Sequence, residues 1–522
     1  MSALLPASGM LRARRVLALA DGVEGDALWW ENGTIRGVGR AADMEREAPR
    51  DIPRYDLPDT LVTPGFVDGH THFAMWALGR RRVQLTGSAT RAEAVSRVAA
   101  ATPVAGWVRG LGWDANGWRD APDRHALDAV QAGPVYLDSL DVHAAWVNTA
   151  ALRAAGIDKR TADPFGGRIA RDGNGAPTGL LLERAVNLVA RILPEPPAAL
   201  LDEALREAQA EAHRLGVTGI HDVEDEGALA GFRRLEARGE LALRVLFQPP
   251  VATLTDLVRR RVRSGDGTEW LTIGGVKMFL DGSLGSRTAW MLEPYEGTRD
   301  RGMPITGEAE AGEAMRLAAA NGIAATVHAI GDAAVRRALD LMGDLPRALL
   351  PHRIEHFQCV HPLDLDRAAA SGIVVSMQPA HLLTDIPLVD RHWGGRGRGA
   401  YAFRSLLRRR TPVVFGSDVP VASLDPREGV FAALERRGFD GAPTGGWRPE
   451  EKLGFAEVVQ AYTSAAAHAG GVAHRRGALA AGQDADLVAW AADPAAERGE
   501  GEAFRAARAA LTVVGGRVVM RQ

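Results

Sequence analysis

The run Thr63-Pro64-Gly65-Phe66-Val67-Asp68-Gly69-His70-Thr71-His72 ends an apolar stretch with two histidines two residues apart. On an extended chain a period of two puts both imidazoles on one side. There they can meet one ion at the ~2.0–2.1 Å of a zinc–nitrogen bond. A bare H-x-H pair is a weak signal, and its place after Pro-Gly strengthens it. Four further apolar runs carry residues of the same kind. Val276-Lys277-Met278-Phe279-Leu280-Asp281-Gly282 holds a lysine within the run, and Val327-His328-Ala329-Ile330-Gly331-Asp332 holds a histidine at its end. Arg353-Ile354-Glu355-His356 ends in a histidine, and Phe415-Gly416-Ser417-Asp418 ends in an aspartate. Each has a plain structural use alone: His328 as a hydrogen-bonded core histidine, Asp418 in a turn, Lys277 snorkelling. Recurring at one strand end after another, they favour a common site. Neutral imidazoles and carboxylates suit zinc and similar ions. A bound ion lowers the pKa of water toward ~7 and polarises a carbonyl. A carboxylate beside it, such as Asp418, can take the water's proton and return it to a leaving amine. The chain has only three lysines, Lys159, Lys277 and Lys452, so one inside an apolar strand needs a reason. A buried lysine loses its proton readily. Only the neutral amine adds carbon dioxide, giving an anionic carbamate able to bridge two cations.

Positioning these groups requires an alternation of strands and helices. The sequence predicts strands at Leu61 to Phe66, Val217 to Ile220, Leu243 to Phe247, Ile273 to Leu280, Ile323 to Val327, His352 to His356, Ile373 to Met377 and Val413 to Phe415. Helical stretches such as Leu201 to Leu215 and Glu308 to Asn321 separate many of them. Strands alternating with helices argue for a parallel sheet with sites at the strand C-terminal ends, and eight strands favour a (β/α)8 barrel over residues 61–472. Residues from about 73 to 195 exceed one crossover helix and hold their own strands, so they read as an inserted α/β subdomain. Residues 1–60 and 473–522 look like short strands and turns that pair into one small β domain. Asn32-Gly33 between apolar runs is a hairpin signal. The Ala/Arg/Glu-rich stretch 491–510 reads as a surface helix.

The order H-x-H, Lys, His, His, Asp resembles the amidohydrolase superfamily, and the β segments of residues 1–60 and 473–522 resemble the composite β-sandwich that its members often carry. The finer phrases resemble its YtcJ-like branch, amidohydrolase family 3, which includes N-substituted formamide deformylases. These phrases are Gly110-Leu111-Gly112-Trp113-Asp114 with Trp118, Asp141-Val142-His143-Ala144-Ala145-Trp146-Val147-Asn148, Gly275 to Ser283, His328 to Asp332 and Arg353 to His356. The resemblance implies that His70, His72, Lys277, His328, His356 and Asp418 form a shell for a divalent metal, zinc above all. It implies two ions bridged by carboxylated Lys277. The expected activity is hydrolysis of a non-peptide, amide-type C–N bond in a small molecule, with metal-activated water as nucleophile and Asp418 as general acid and base. His143, Trp113 and Asp281 are set down as substrate-contacting residues. Asp281 and Asp332 are also placed to bond metal histidines or to form turns. Glu183, His221 and His381 are weaker candidates.

Composition narrows the alternatives. A net charge of −3 over 522 residues, from 62 basic and 65 acidic side chains, provides no field for nucleic acid. The single Cys359 excludes a disulfide framework or a multi-cysteine metal site. No stretch approaches a membrane span and no secretory signal stands out, so the expectation is a soluble, cytoplasmic protein without a membrane or nucleic-acid partner. A homodimer is an admissible assembly. Two other functions fit the composition: a cyclic-amide or ester hydrolase with the same ion site, and a catalytically silent barrel that binds partners. Asp418 argues against the silent barrel, because a scaffold needs no general base.

Overall fold

The computed structural model describes residues 7–491 and 500–522. The remaining parts of the chain-end segments, 1–6 and 492–499, lie outside the described residues. The expected 491–510 helix is therefore described only over Glu500–Ala506.

Four strands, Phe66–Thr71, Val217–Asp222, Arg244–Phe247 and Leu271–Ile273, pair in parallel. Five more, Val276–Phe279, Ala325–Ala329, Arg353–His356, Val374–Met377 and Val413–Phe415, form a second parallel sheet in chain order. The two sheets meet at both edges. At one seam the Lys277 N–H donates to the Pro249 carbonyl at 2.8 Å. At the other the Asp418 N–H donates to the His70 carbonyl at 2.8 Å, and the His72 N–H to the Val419 carbonyl at 2.9 Å. Apolar, β-branched runs suit strands buried on both faces, and Val276, Val327, Ile354, Val375 and Phe415 are fully or almost fully buried. Helices cover them with one stripe each. In Ala198–Arg214 the buried residues Leu201, Ala204, Leu205, Ala208 and Ala212 recur at helical spacing, so one face meets the sheet.

Two strand expectations are corrected. Leu61 does not begin the parallel sheets. Arg54–Pro64 belongs to a seven-stranded sheet built from both chain ends, paired in parallel with Gly9–Val16 and antiparallel with Leu487–Trp490. The first parallel strand is Phe66–Thr71. Between them Pro64 has no N–H to continue a ladder. A Cβ on Gly65 would fall 2.3 Å from Thr218 Oγ1, so only glycine lets the chain cross here. The Ile273 to Leu280 run is also two strands, Leu271–Ile273 and Val276–Phe279, parted at Gly274-Gly275.

The stretch after the first parallel strand carries a six-stranded sheet of its own, from Val83–Gln84 to Pro177–Glu183. In the chain-end sheet Asn32 and Gly33 adopt φ of 50° and 79° between Gly25–Glu31 and Thr34–Gly39, the two positive values a tight hairpin needs. Among the described residues no helix is long and apolar enough to cross a membrane.

Candidate metal centre

His70 is fully buried near the end of Phe66–Thr71. Its Nδ1 lies 2.5 Å from Glu355 Oε2, so Nδ1–H donates to that carboxylate and Nε2 keeps a free lone pair. That Nε2 has no hydrogen-bond partner and sits 3.5 Å from Asp418 Oδ1. His72 uses Nδ1–H on the Val223 carbonyl at 2.7 Å and faces Asp418 Oδ1 with Nε2 at 3.2 Å. His356 sits 2.9 Å from Gln378 Oε1 and 3.9 Å from Asp418 Oδ2 through Nδ1. His70, His356 and Asp418 each offer a ligand atom within 4.8 Å of the others. His356 and Asp418 adopt φ of 69° and 60°, a left-handed conformation rare for such residues and typical of functional sites.

The remaining two expected ligands border this group. Lys277 Nζ is buried without a hydrogen-bond partner, 4.7 Å from the Phe279 ring centre. The His328 ring centre is 4.4 Å from that of His356, and its Nε2 lies 3.0 Å from the Gly282 carbonyl.

The electrostatics suit cation binding. Burial, then the Lys277 charge, lowers His70 to about 4, and burial first of all pushes His328 and His356 well below the ordinary range. All three imidazoles are thus neutral at neutral pH. Burial lowers Lys277 to about 8. Burial alone would raise Asp418, but the imidazoles of His70, His72 and His356 outweigh it and keep the carboxylate well below its usual value. Unpartnered buried atoms on His70, Lys277 and Asp418 are costly unless something fills the space between them. Imidazole nitrogen and carboxylate oxygen are donors that a divalent cation takes.

A cavity of about 1010 Å³ reaches His356 and Asp418. Much of its wall comes from the insertion, including Trp113, Trp118, Asp141 and His143. Asp141 ties the insertion to the segment after Val276–Phe279, accepting from Ser283 Oγ at 2.6 Å and Ser286 Oγ at 2.7 Å. His143 Nδ1 lies 2.8 Å from Glu183 Oε2, which orients the ring. Burial pulls His143 down, but Glu183, Asp141 and Asp418 outweigh it and raise it to about 9.

Trp113 borders the cavity yet is mostly buried, with Nε1–H on the Leu137 carbonyl at 2.9 Å and its ring against Trp118 and Trp146. Asp281 has no exposure and does not line the cavity; its carboxylate accepts the N–H groups of Ile330, Gly331 and Trp290 and lies 3.6 Å from His328 Nε2. Asp332 accepts the Leu292 N–H in the same manner. His221 accepts from Arg353 at 2.9 Å, whereas His381 borders the cavity 3.9 Å from Asp418.

Sequence reasoning passed over Glu355, Arg353 and Gln378. In Arg353–His356, Arg353 and Glu355 alternate onto the side of His70 and His221, while Ile354 packs into the apolar core. A charged pair at i and i+2 within a buried strand was the available signal.

The model of the amidohydrolase family matches residues 55–520. The putative amidohydrolase YtcJ of Bacillus subtilis is 31% identical over 91% of this chain and 92% of its own length. The N-substituted formamide deformylase of Arthrobacter pascens is 28% identical over 88% of this chain and 89% of its own length. The crystal structure of an uncharacterized metal-dependent hydrolase from Pyrococcus furiosus superposes with a TM-score of 0.74 at 27% identity, covering 93% of this chain and 99% of that one.

Proposed function

The chain belongs to the amidohydrolase family, in its YtcJ-like branch, and from that premise we propose that it hydrolyses an amide-type, non-peptide C–N bond in a small molecule. The observation that carries the reading is the convergence of His70, His72, His356 and Asp418 at the end of a cavity, with buried ligand atoms left unpartnered. The metal-dependent relative and the deformylase support it by likeness. We read the two parallel sheets as one eight-stranded (β/α)8 ring, with Leu271–Ile273 as an extra strand, because hydrogen bonds join them at both seams.

His70, His72 and Asp418 would hold a divalent cation, zinc by its preference for imidazole and carboxylate. Lys277, carboxylated, would bridge to a second ion held by His328 and His356. A bound cation supplies Lewis acidity and lowers the pKa of water toward ~7. Asp418 accepts the proton of the attacking water and passes it to the leaving nitrogen, as its place between two histidines and the cavity suits. His143, its ring fixed by Glu183, donates to the substrate carbonyl, and Trp113 and Trp118 wall the apolar side.

The test is Asp418→Asn in the metal-loaded protein, assayed on N-substituted formamides and acetamides with aromatic substituents. Turnover should fall by about 10²–10⁴ while much of the metal remains. A near wild-type rate would place the proton transfer elsewhere.

A further inference from the structure

A separate cavity of about 60 Å³ lies at the other end of the parallel strands from the metal centre. Thr218, Arg244 and Thr272 line it from the starts of their strands, and Ala466 and Gly470 close it from the helix Ser464–Ala469 and the residue after it. The charged residues in its wall answer one another. Arg244 pairs with Asp486 at 3.2 Å and Glu269 at 3.5 Å, and Arg476 lies 3.8 Å from Asp486. The cavity therefore suits a neutral occupant.

His221 reaches this cavity from Val217–Asp222 and is only 4% exposed. Its Nδ1 lies 2.9 Å from Arg353 Nη1. A guanidinium can only donate, so Nδ1 accepts and the ring's one proton sits on Nε2. Burial first, then the Arg353 charge, holds the ring well below the ordinary histidine range, so it stays neutral. Nε2 is on the cavity side, since a Cβ on Gly470 in the wall would lie 3.8 Å from it. Among the described residues no group accepts this N–H, and an unanswered buried donor is costly. Thr218 and Thr463 also line the cavity. Their hydroxyls donate to the Phe66 carbonyl at 3.2 Å and the Val459 carbonyl at 2.7 Å, so both oxygens keep lone pairs. An occupant that accepts from His221 and donates to threonine answers both. Water does this, and the volume suits about two molecules.

From His221 the contacts continue to the metal centre. Arg353 Nη2 donates to Glu355 Oε2 at 3.3 Å, and the same oxygen takes His70 Nδ1–H at 2.5 Å. All four side chains are buried, so bulk solvent does not compete for these bonds. Resting on the metal-dependent reading above, we infer that ordered water fills this cavity and accepts from His221 Nε2–H, making His221 a positioning residue that steadies Arg353, Glu355 and through them His70. The affinity for the metal is then set in part from the opposite end of the strands.

The experiment measures zinc affinity of the full chain by competition with a chelator, beside its stability in urea. His221→Leu removes both the acceptor for Arg353 and the donor to water. It should weaken zinc about tenfold, the lower end for groups that act behind a metal ligand. His221→Gln can supply both, with its amide oxygen toward Arg353 and its amide N–H toward the cavity, and should return to within about threefold of wild type. Gly470→Val starts from a Cβ that meets nothing nearer than 3.5 Å and adds methyl groups beside Nε2, in the place of the water. It should also weaken zinc about tenfold, and Gly470→Val/His221→Leu should be no weaker than His221→Leu, because both act through one ring. Wild-type affinity in either single variant overturns the inference, whatever happens to stability, as does His221→Gln no better than His221→Leu. If one of the two single variants does not fold, the other decides. A high-resolution crystal structure of the wild type should show a water oxygen within hydrogen-bonding reach of His221 Nε2. If the wild type binds no zinc, the metal reading fails alone and this density decides the site: water there sustains it, and density for anything else, or none, overturns it.

Discussion

Glu355→Gln isolates what orients His70. The Glu355 side chain is fully buried, with Oε2 2.5 Å from His70 Nδ1 and Oε1 2.5 Å from Arg353 Nε. Burial opposes its charge, yet Arg353 and then His70 hold it well below the usual carboxylate range. Glutamine keeps the shape and removes the charge. Two costs follow, and they are separable. Arg353 loses its carboxylate partner, although it still donates to the Gly69 carbonyl at 2.7 Å and to His221 at 2.9 Å. An uncompensated buried charge costs about 3–5 kcal/mol, and these two remaining bonds argue for the lower end. His70 meanwhile exchanges a charged acceptor for a neutral amide that holds its tautomer less firmly, which costs about 10–100-fold in metal affinity. Urea denaturation of the metal-free protein reads the first cost, and competition with a chelator reads the second. Arg353→Gln/Glu355→Gln removes both charges, so it should regain part of the stability and none of the affinity. Unchanged metal affinity in Glu355→Gln, with normal folding, would refute the orienting role.

Two further outcomes are expected. Lys277→Ala should abolish most turnover, with partial recovery when acetate is added, whereas Lys277→Arg should not recover, because guanidinium stays charged and forms no carbamate; full activity in Lys277→Arg would remove the bridging role. His213, at the end of Ala198–Arg214, is lowered to about 4 by burial, against the smaller opposing effect of its bond to the Ala242 carbonyl. The unfolded chain therefore takes up a proton near pH 6.5 that the folded protein refuses until about pH 4. Stability contributed by this group is present above pH 6.5 and falls by about 3 kcal/mol as pH drops through that window. His213→Gln should flatten this part of the stability profile measured by urea denaturation, and an unaltered slope would show that another group titrates there.

The parts legible in the sequence were those governed by short-range rules. A period of two placed His70 and His72 on one side, and Asn32-Gly33 forced its own hairpin. The apolar runs announced most parallel strands, and Leu201 to Leu215 announced its helix. What escaped depended on partners distant in the chain. Leu61 was assigned to the wrong sheet because its neighbours in Gly9–Val16 and Leu487–Trp490 decide its place, and no local pattern names them. Asp281 looks like a site residue by its position, but the loop that spends its carboxylate arrives from Trp290, Ile330 and Gly331. His356 was anticipated at the site, while strict alternation after Glu355 would turn it toward Ile354's side. The left-handed φ of 69° that redirects it is a tertiary outcome.

The pairing of Arg54–Pro64 with Leu487–Trp490 also sets an order of events during synthesis. About 420 residues separate the two strands, so at 5–20 residues per second a ribosome spends roughly 20–80 s between making one and making the other. For that interval one side of Arg54–Pro64 is an unsatisfied strand edge. Such edges recruit other chains unless something discourages them, and charged side chains or proline do so. The part of this strand that stays exposed in the finished protein carries Arg54, Asp56, Pro58 and Asp59, whereas Leu61 to Pro64 are buried once the C-terminal strand arrives. The nascent chain thus waits with a guarded half and a vulnerable half, and the vulnerable half is the one that the last strands to be made must reach before another molecule does.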